Sequence, residues 1–300
     1  MIHELENKHF DNQYRPDTSP EVSDYIFIFG KLGNGQDGAY LRVTDEGIGV
    51  PRAGEIADAL KTDISEIEQT YLFSIDEDVF RLADDGLAEK LAEIDAVELE
   101  LAGLGGYGLE SMRTLRCCQP KDMCMAGMTA NHLHSWYRDN RFCGRCGAET
   151  THDPYLRMMK CPDCGNMIFP RLNPAVTVAL RHEDKLLVSR YANRPGLTRP
   201  ALIAGFVEIG ETAEECVIRE VMEEVGLKVG KVEYYGTQPW GFAGNLQMGY
   251  VAEVEGSDNI VLDEDELASA QFIGRDDLEP DPNPSSLTGQ MINDFLEGKI

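Results

Sequence analysis

Three glutamates have the spacing of a carboxylate cluster on one face of a helix. They are Glu220, Glu223 and Glu224, within the segment Gly210–Leu227, which reads GETAEECVIREVMEEVGL. Residues three and four positions apart project from the same side of an α-helix. The segment contains six glutamates in a chain that already carries a formal net charge of -26. Such crowding needs a physical reason.

The ends of this helix are marked by residues that satisfy free backbone groups. Thr212 is a favourable N-cap, and Glu215 three positions later completes a capping box. Gly226 suits the left-handed position that follows many helices. We therefore predict a helix from Ala213 to Val225.

A divalent metal would make this crowding favourable. Like charges three or four residues apart destabilise an isolated helix by about 0.2–0.5 kcal/mol per pair. Mg²⁺ binds carboxylate oxygens while it keeps water ligands and shares the oxygens of substrate phosphates. The spacing therefore predicts a metal site for phosphate chemistry, and the alternative is a solvated acidic helix face.

Paired cysteines predict a second metal site. Two C-x2-C pairs are separated by fourteen residues, which is the spacing of a four-cysteine zinc ribbon. The predicted ligands are Cys143, Cys146, Cys161 and Cys164. Four protein ligands leave no open position, so the zinc should be structural. Four reduced core cysteines are the alternative, and Cys117, Cys118 and Cys124 are predicted to be ordinary thiols.

The chain divides by composition into an N-terminal domain over residues 1–125, a zinc ribbon over 126–170 and a catalytic domain over 171–300. In the first domain, YIFIFG and AYLRVTDEGIGV indicate strands, and Leu82, Leu87, Leu91 and Ile94 have helical spacing. His132 and His134 precede Trp136 on a predicted packing helix. The first domain should be mixed α+β.

The third domain has strand patterns on both sides of the glutamate-rich helix. AVTVALRHEDKLLVSR predicts two strands joined by a turn at His182–Asp184, and VEYYGTQPW and MGYVAEVE predict two more. A helix should follow DPNPSSLTGQ. This order favours an α/β sandwich over a parallel βαβ series.

The charge balance limits the classes of partner. The chain has 27 basic and 53 acidic residues, a composition that repels nucleic-acid backbones at long range. No run of apolar residues approaches the length of a membrane span, and the first residues lack the apolar core of a signal peptide. We therefore expect a cytoplasmic protein without membrane association.

The sequence GFVEIGETAEECVIREVMEEVGL resembles the Nudix box, Gly-x5-Glu-x7-Arg-Glu-U-x-Glu-Glu-x-Gly-U with U aliphatic, at every defined position. The resemblance implies an α/β/α sandwich and Mg²⁺- or Mn²⁺-dependent hydrolysis of nucleoside diphosphate derivatives. It also implies that Glu220 and Glu224 bind the metals while Glu223 assists or positions water. Arg219 should pair with Glu211. Outside the box, Glu266 is predicted as an additional metal ligand.

A zinc ribbon before a Nudix domain is typical of the NADH pyrophosphatase family. The segment Thr237–Leu246, TQPWGFAGNL, is similar to that family's motif Ser-Gln-Pro-Trp-Pro-Phe-Pro-x-Ser-Leu. The resemblance implies hydrolysis of NADH or NAD to NMNH or NMN and AMP, removal of NAD caps from RNA 5′ ends, and a homodimer. The implied substrate-binding residues are Phe169, Ala204, Phe206, Gln238, Pro239, Trp240, Phe242 and Asn245.

The motif departs from the family where Gly241 and Ala243 replace two prolines. Proline restricts the free loop, so we expect a more mobile loop here and a lower KM for NADH when both prolines are restored. The departures keep open another Nudix substrate, such as ADP-ribose or a dinucleoside polyphosphate. A nucleic-acid-binding module with an inactive Nudix domain is the alternative of a different class, opposed by the intact glutamates.

Overall fold

The computed structural model describes residues 1–116, 119–192, 199–282 and 284–300. These residues form two compact units. The N-terminal unit contains residues 2–171 and 241–243, and the C-terminal unit contains residues 1, 172–240 and 244–300. Cys117 and Cys118, predicted as ordinary thiols, lie outside the described residues.

The first part of the N-terminal unit is mixed α+β, as predicted. Two four-stranded sheets have the orders β1-β6-β7-β2 and β3-β4-β5, with β8 paired to β4 in the second. The strands are β1 Phe10–Asp11, β2 Tyr25–Phe27, β3 Phe29–Lys31, β4 Asp37–Thr44, β5 Gly47–Gly49, β6 Gln69–Ile75, β7 Asp78–Ala83 and β8 Tyr107–Ser111. The helices are α1 Ala53–Leu60, α2 Leu87–Ala92 and α3 Ala96–Leu101, with 3-10 turns at Ile64–Glu66 and Thr114–Arg116.

The prediction that Leu82 belongs to a helix was wrong. Leu82 lies in β7, which pairs with β6 and β2, and helix α2 begins only at Leu87. Leu87 and Leu91 do pack into the core from one side of α2. Phe80 and Leu82 are two residues apart and lie on the same face of the strand, a period of two. The helical spacing of Leu82 with the later leucines concealed this strand period.

Helix α4, Lys121–Asp139, contains His132 and His134 and confirms the predicted packing helix. Trp136 and His134 are buried, and the His134 ring stacks on Phe29 with centroids 4.7 Å apart. The predicted domain boundary between residues 125 and 126 lies inside this helix. Three short strands follow, β9 Thr151–His152, β10 Met159–Lys160 and β11 Met167–Ile168, in the order β11-β10-β9.

The C-terminal unit is an α/β/α sandwich, as predicted. Its described residues form a six-stranded sheet in the order β15-β16-β12-β13-β17, with β14 paired to β12. The strands are β12 Asn173–His182, β13 Lys185–Tyr191, β14 Ile203–Phe206, β15 Val229–Trp240, β16 Asn245–Val254 and β17 Leu267–Gly274, and the helices are α5 Ala213–Val225 and α6 Leu287–Leu296. A further 3-10 turn spans Arg275–Asp277.

Alternation along β12 directs side chains to the two helices. Val176 and Val178 pack with Val217 and Val221 of α5, whereas Ala179 packs with the core that contains α6. Strands β12 and β16 are parallel, and β12 pairs with β14 in antiparallel register. In the part of the chain that the structure describes, no helix combines the length and apolar character needed to cross a bilayer.

Candidate active site and zinc ribbon

Helix α5 has the predicted bounds, and its capping box is complete. The Thr212 hydroxyl accepts a hydrogen bond from the Glu215 N–H at 3.2 Å, and the Glu215 carboxylate accepts one from the Thr212 N–H at 2.8 Å. Gly226 ends the helix in the left-handed conformation, with φ of 68°. The helix start is therefore fixed by its own sequence, which positions the glutamates along it.

Arg219 pairs with Glu211, the pairing implied by the family resemblance. Its Nε and Nη2 donate to the two Glu211 carboxylate oxygens at 2.8 and 3.0 Å. Nη2 also donates to the main-chain oxygen of Phe206 at 3.0 Å. The guanidinium thereby joins the loop before α5, the end of β14 and the helix itself. These hydrogen bonds lower the pKa of Glu211 to about 2.

The other side of Arg219 faces the glutamate cluster. Nη1 donates to Glu220 at 2.8 Å and to Glu223 at 2.9 Å. Glu220 is buried, whereas Glu223 is exposed. One guanidinium therefore compensates part of the negative charge that three glutamates place on this face.

Glu224 is the glutamate of this cluster with an unsatisfied buried oxygen. Its residue is 2% exposed, and its Oε2 has no hydrogen-bond partner among the described residues. Burial, reinforced by the charges of Glu220 and Glu266, raises its pKa to about 8. The pKa of Glu220 is also raised, chiefly by burial. A buried acceptor without a partner is costly, and a divalent cation would satisfy it.

The missing side chain of Gly205 leaves space for the Glu220 carboxylate against strand β14. A Cβ atom at Gly205 would lie 1.9 Å from the carboxyl carbon and from Oε1 of Glu220. A side chain there would displace the carboxylate, so close approach explains the first glycine of the Nudix-box pattern. The carboxylate thus lies against the strand that carries Phe206 as its next residue.

Glu266 lies near enough for its charge to act on Glu220 and Glu224, which places it on the same side of the fold. The side chain is exposed. Within the described ranges, the cysteine quartet is the only group of three or more His, Cys, Asp or Glu donors that all lie within 4.8 Å. The carboxylates are thus neighbours without forming a closed ligand set, and the metal-binding roles of the glutamates stay predictions.

The four ribbon cysteines converge as predicted. All four sulfurs lie within 4.8 Å of one another, with 3.6 Å between Cys143 and Cys164 and 3.4 Å between Cys146 and Cys161. Tetrahedral zinc with bonds of about 2.3 Å requires sulfurs about 3.8 Å apart. The Arg145 N–H donates to the Cys143 sulfur, and such backbone bonds lower the pKa of this thiol to about 6. The set therefore fits structural zinc.

The predicted base-binding aromatics are both available for contact. Phe206 ends β14 and is 54% exposed, and Phe169, which belongs to the N-terminal unit, is 52% exposed. The Ala204 backbone forms a hydrogen bond with the Glu224 carboxyl group. Ala204 therefore belongs to the carboxylate site, and its predicted contact with substrate stays a prediction.

The motif segment runs through β15 and the turn into β16. Gln238 is fully buried, and its amide donates to the Ser285 carbonyl at 2.9 Å and accepts from the Leu287 N–H at 2.6 Å. Pro239 is half-buried and Trp240 is buried. The structure thus gives the Gln238 side chain a role in fixing the start of α6, and its predicted substrate contact stays a prediction.

Gly241, where the family motif has proline, is closely packed against helix α4. It is buried, and a Cβ atom there would lie 2.5 Å from the main-chain oxygen of Met128 in α4. The Asn131 amide donates to the Gly241 carbonyl, and the Arg116 guanidinium lies 5.9 Å from the Phe242 ring centroid. Close packing therefore explains the glycine at residue 241, and the expected effect of proline on the KM for NADH stays a prediction.

Comparison with known proteins agrees with this arrangement. Residues 171–293 match the family model of the NUDIX domain, and residues 138–169 match the NADH pyrophosphatase zinc ribbon domain. The NAD-capped RNA hydrolase NudC of Pseudomonas aeruginosa strain LESB58 is 41% identical over 174 residues, 58% of this chain and 61% of that protein. NudC of Salmonella typhi is 39% identical over 165 residues, 55% of this chain and 63% of that protein.

These alignments cover less than two thirds of either relative's length. Among solved structures, a NUDIX hydrolase from Nitrosomonas europaea aligns with 53% of this chain and 92% of its own, with 21% identity and a TM-score of 0.43. The two family matches lie side by side, in the order expected from the cysteine and glutamate motifs. Residues 171–293 therefore form a Nudix domain, and this domain follows a segment that matches the NADH pyrophosphatase zinc ribbon.

Proposed function

We propose that the protein hydrolyses the diphosphate bond of NADH or NAD, giving NMNH or NMN and AMP, and that it removes NAD caps from RNA 5′ ends. The observation that carries this proposal is the buried Oε2 of Glu224, which has no partner among the described residues and lies in the same cluster as Glu220. The Glu220 carboxylate lies against Gly205, the residue before the exposed Phe206. The site combines metal-binding oxygens with an aromatic surface for a base. The names of the relatives support the choice of substrate.

The position of each residue in the site indicates its proposed role. Bound Mg²⁺ or Mn²⁺ would neutralise the diphosphate and lower the pKa of a water ligand. Glu220 and Glu224 would hold the metal, and Glu266 is proposed to complete the ligand set. Glu223, which is exposed, would orient water. Arg219 keeps Glu211 and Glu220 in place through its hydrogen bonds.

Phe206 and Phe169 are proposed to enclose the nicotinamide, with Phe169 supplied across a homodimer. The zinc ribbon exposes Phe142, Tyr155 and Phe169, which are 58%, 85% and 52% exposed. Apolar side chains of this size favour a protein interface. The molar mass in solution, measured by light scattering over a range of concentrations, tests the dimer. The cytoplasm is the proposed compartment, because zinc-binding thiols must stay reduced.

Hydrolysis assays test the substrate directly. The protein should be incubated with NADH, NAD, ADP-ribose and NAD-capped RNA, each with Mg²⁺ or Mn²⁺, and the products identified by mass spectrometry. Release of NMNH or NMN with AMP supports the proposal. ADP-ribose is the second candidate substrate, because the motif lacks two family prolines at Gly241 and Ala243. Faster cleavage of ADP-ribose than of either dinucleotide would replace the proposed substrate.

A further inference from the structure

Two side-chain oxygens at the start of strand β16 are buried without a partner. They are Oδ1 of Asn245 and Oε1 of Gln247, which make no hydrogen bond to any described residue. The two residues are two positions apart on one strand, so their side chains lie on the same face of the sheet. An unsatisfied buried acceptor destabilises the folded protein, and two adjacent ones need an explanation.

The sheet register places these oxygens in line with Phe206. Gln247 is opposite Ala175 of β12, and Ala175 is opposite Phe206 of β14. On its other side, Gln247 is opposite Gln238 of β15. Residues opposite one another in a sheet project to the same face. Phe206, Ala175, Gln247 and Gln238 therefore form one row across four strands.

The neighbouring side-chain amides donate hydrogen bonds elsewhere. Gln238 already uses its amide nitrogen on Ser285 and its oxygen on the Leu287 N–H. Asn173, which is opposite Asn245, donates its side-chain amide to the Gly244 carbonyl at 3.2 Å. Among the described residues, no donor is bonded to either oxygen.

The residue between Phe206 and Gln247 in this row has a small side chain. Strands lie about 4.8 Å apart, so the backbones that carry Phe206 and Gln247 are about 10 Å apart. Between them stands Ala175, whose methyl group fills little of that width. Phe206 remains 54% exposed at one end of the row. A planar base packed against the Phe206 ring would bring its edge toward Gln247.

We propose that Gln247, with Asn245, determines substrate specificity by accepting a hydrogen bond from an N–H donor on the base that packs against Phe206. This inference rests on the proposed dinucleotide hydrolysis. Two parts of the substrate carry such a donor, the carboxamide of nicotinamide and the exocyclic amine of adenine. Gln247 follows directly after the motif segment Thr237–Leu246, so the motif did not identify it. Its position two residues beyond Asn245 on a strand could have indicated it.

The test compares three dinucleotides. They are NAD, nicotinic acid adenine dinucleotide, in which a carboxylate replaces the carboxamide, and nicotinamide hypoxanthine dinucleotide, in which an oxo group replaces the adenine amine. The wild-type protein should prefer NAD to one of the two analogues by about tenfold or more in kcat/KM. The disfavoured analogue identifies which base Gln247 contacts.

The decisive measurement is the same preference in Gln247→Met, which keeps the side-chain volume and removes the acceptor. We expect the preference to fall at least severalfold, with NAD losing kcat/KM and the disfavoured analogue changing little. Gln271→Met, an exposed glutamine on β17 of the same sheet, is the matched control and should retain the wild-type preference. An unchanged preference in Gln247→Met, in a protein that cleaves NAD, would overturn the inference.

Stability separates specificity from a structural role. Because Oε1 of Gln247 has no partner among the described residues, Gln247→Met should have a Tm equal to or above that of the wild type. A clearly lower Tm would show that the protein itself satisfies this oxygen, which contradicts the inference. If wild-type protein cleaves none of the three dinucleotides with either metal, the proposed function fails, and this inference fails with it.

Discussion

Arg219 holds Glu211 through two hydrogen bonds, one to each carboxylate oxygen, at 2.8 and 3.0 Å. Lysine cannot reproduce this paired geometry. We expect Arg219→Lys to lower kcat/KM by about tenfold or more, because the loop before α5 and the carboxylate of Glu220 both lose their anchor. Arg181→Lys, at a pair in which one guanidinium nitrogen contacts Glu253, is the control and should retain activity.

The same pair predicts an acid-sensitive contribution to stability. Arg219 lowers the folded-state pKa of Glu211 to about 2, below the value of about 4.3 for an unperturbed glutamate. The contribution is therefore complete above about pH 4.3 and is lost as the pH falls through 2. Urea unfolding between pH 6 and about 2.5 should show the stability advantage of wild type over Glu211→Gln shrinking. A constant difference across that range would contradict the assignment.

Glu224→Gln should abolish most of the turnover without unfolding the protein. The buried carboxylate is proposed as a metal ligand, and a neutral amide binds a hard cation poorly. We expect kcat to fall by about two orders of magnitude or more. Glu255→Gln, at an exposed residue beyond the end of β16, is the matched control. Turnover near the wild-type level in Glu224→Gln would remove the assigned role.

Metal-free protein should reveal the raised pKa of Glu224 independently of activity. The folded-state pKa of about 8 exceeds the unfolded value of about 4.3, so the folded state retains a proton in this window. Stability associated with this residue is therefore lost as the pH rises from about 4.3 through 8. Without added Mg²⁺ or Mn²⁺, Glu224→Gln should gain in Tm relative to wild type over that range. Added metal should reduce this gain by stabilising the wild type.

The cysteine quartet predicts one zinc ion per chain. Cys143→Ser or Cys161→Ser should lower both zinc content and Tm, because binding energy at a structural site contributes to folding. Cys124→Ala changes a buried cysteine of α4 outside the ribbon and should retain full zinc content. Elemental analysis measures the stoichiometry. Wild-type protein that contains no zinc after purification without chelators would contradict the prediction.

Gly241 and Ala243 should respond differently to proline. A Cβ atom at residue 241 meets the Met128 carbonyl oxygen at 2.5 Å, whereas Ala243 is exposed. Overpacking of this kind costs about 1–3 kcal/mol. Gly241→Pro should therefore lower the free energy of unfolding, and Ala243→Pro should change it little. Equal stability of the two variants in urea unfolding would show that α4 yields to the added carbon.

The sequence was sufficient where local chemistry decides the structure. The bounds of α5 follow from Thr212, Glu215 and Gly226, which act within a few residues of one another. The four cysteines converge because each C-x2-C pair turns on itself and the two pairs satisfy one tetrahedron. These features needed no knowledge of distant contacts.

Features that depend on distant contacts could not be predicted. Leu82 fitted helical spacing, yet pairing with β2 and β6 makes its segment a strand. The missing proline at Gly241 led us to expect a mobile loop, because the close approach of Met128 is not visible in the sequence. The buried oxygen of Gln247, which has no partner among the described residues, could be recognised only from the folded structure and its strand register.

The sulfur quartet and the glutamate cluster differ in chemical hardness, and this affects the interpretation of inhibition by EDTA. Thiolates prefer soft or borderline ions, whereas carboxylates and water prefer hard ones. A strong chelator would remove ions from both kinds of ligand, so lost turnover could reflect unfolding of the ribbon. Dilution into metal-poor buffer, followed by Mg²⁺ or Mn²⁺ alone, would separate reversible cofactor loss from collapse of the cysteine-bound module.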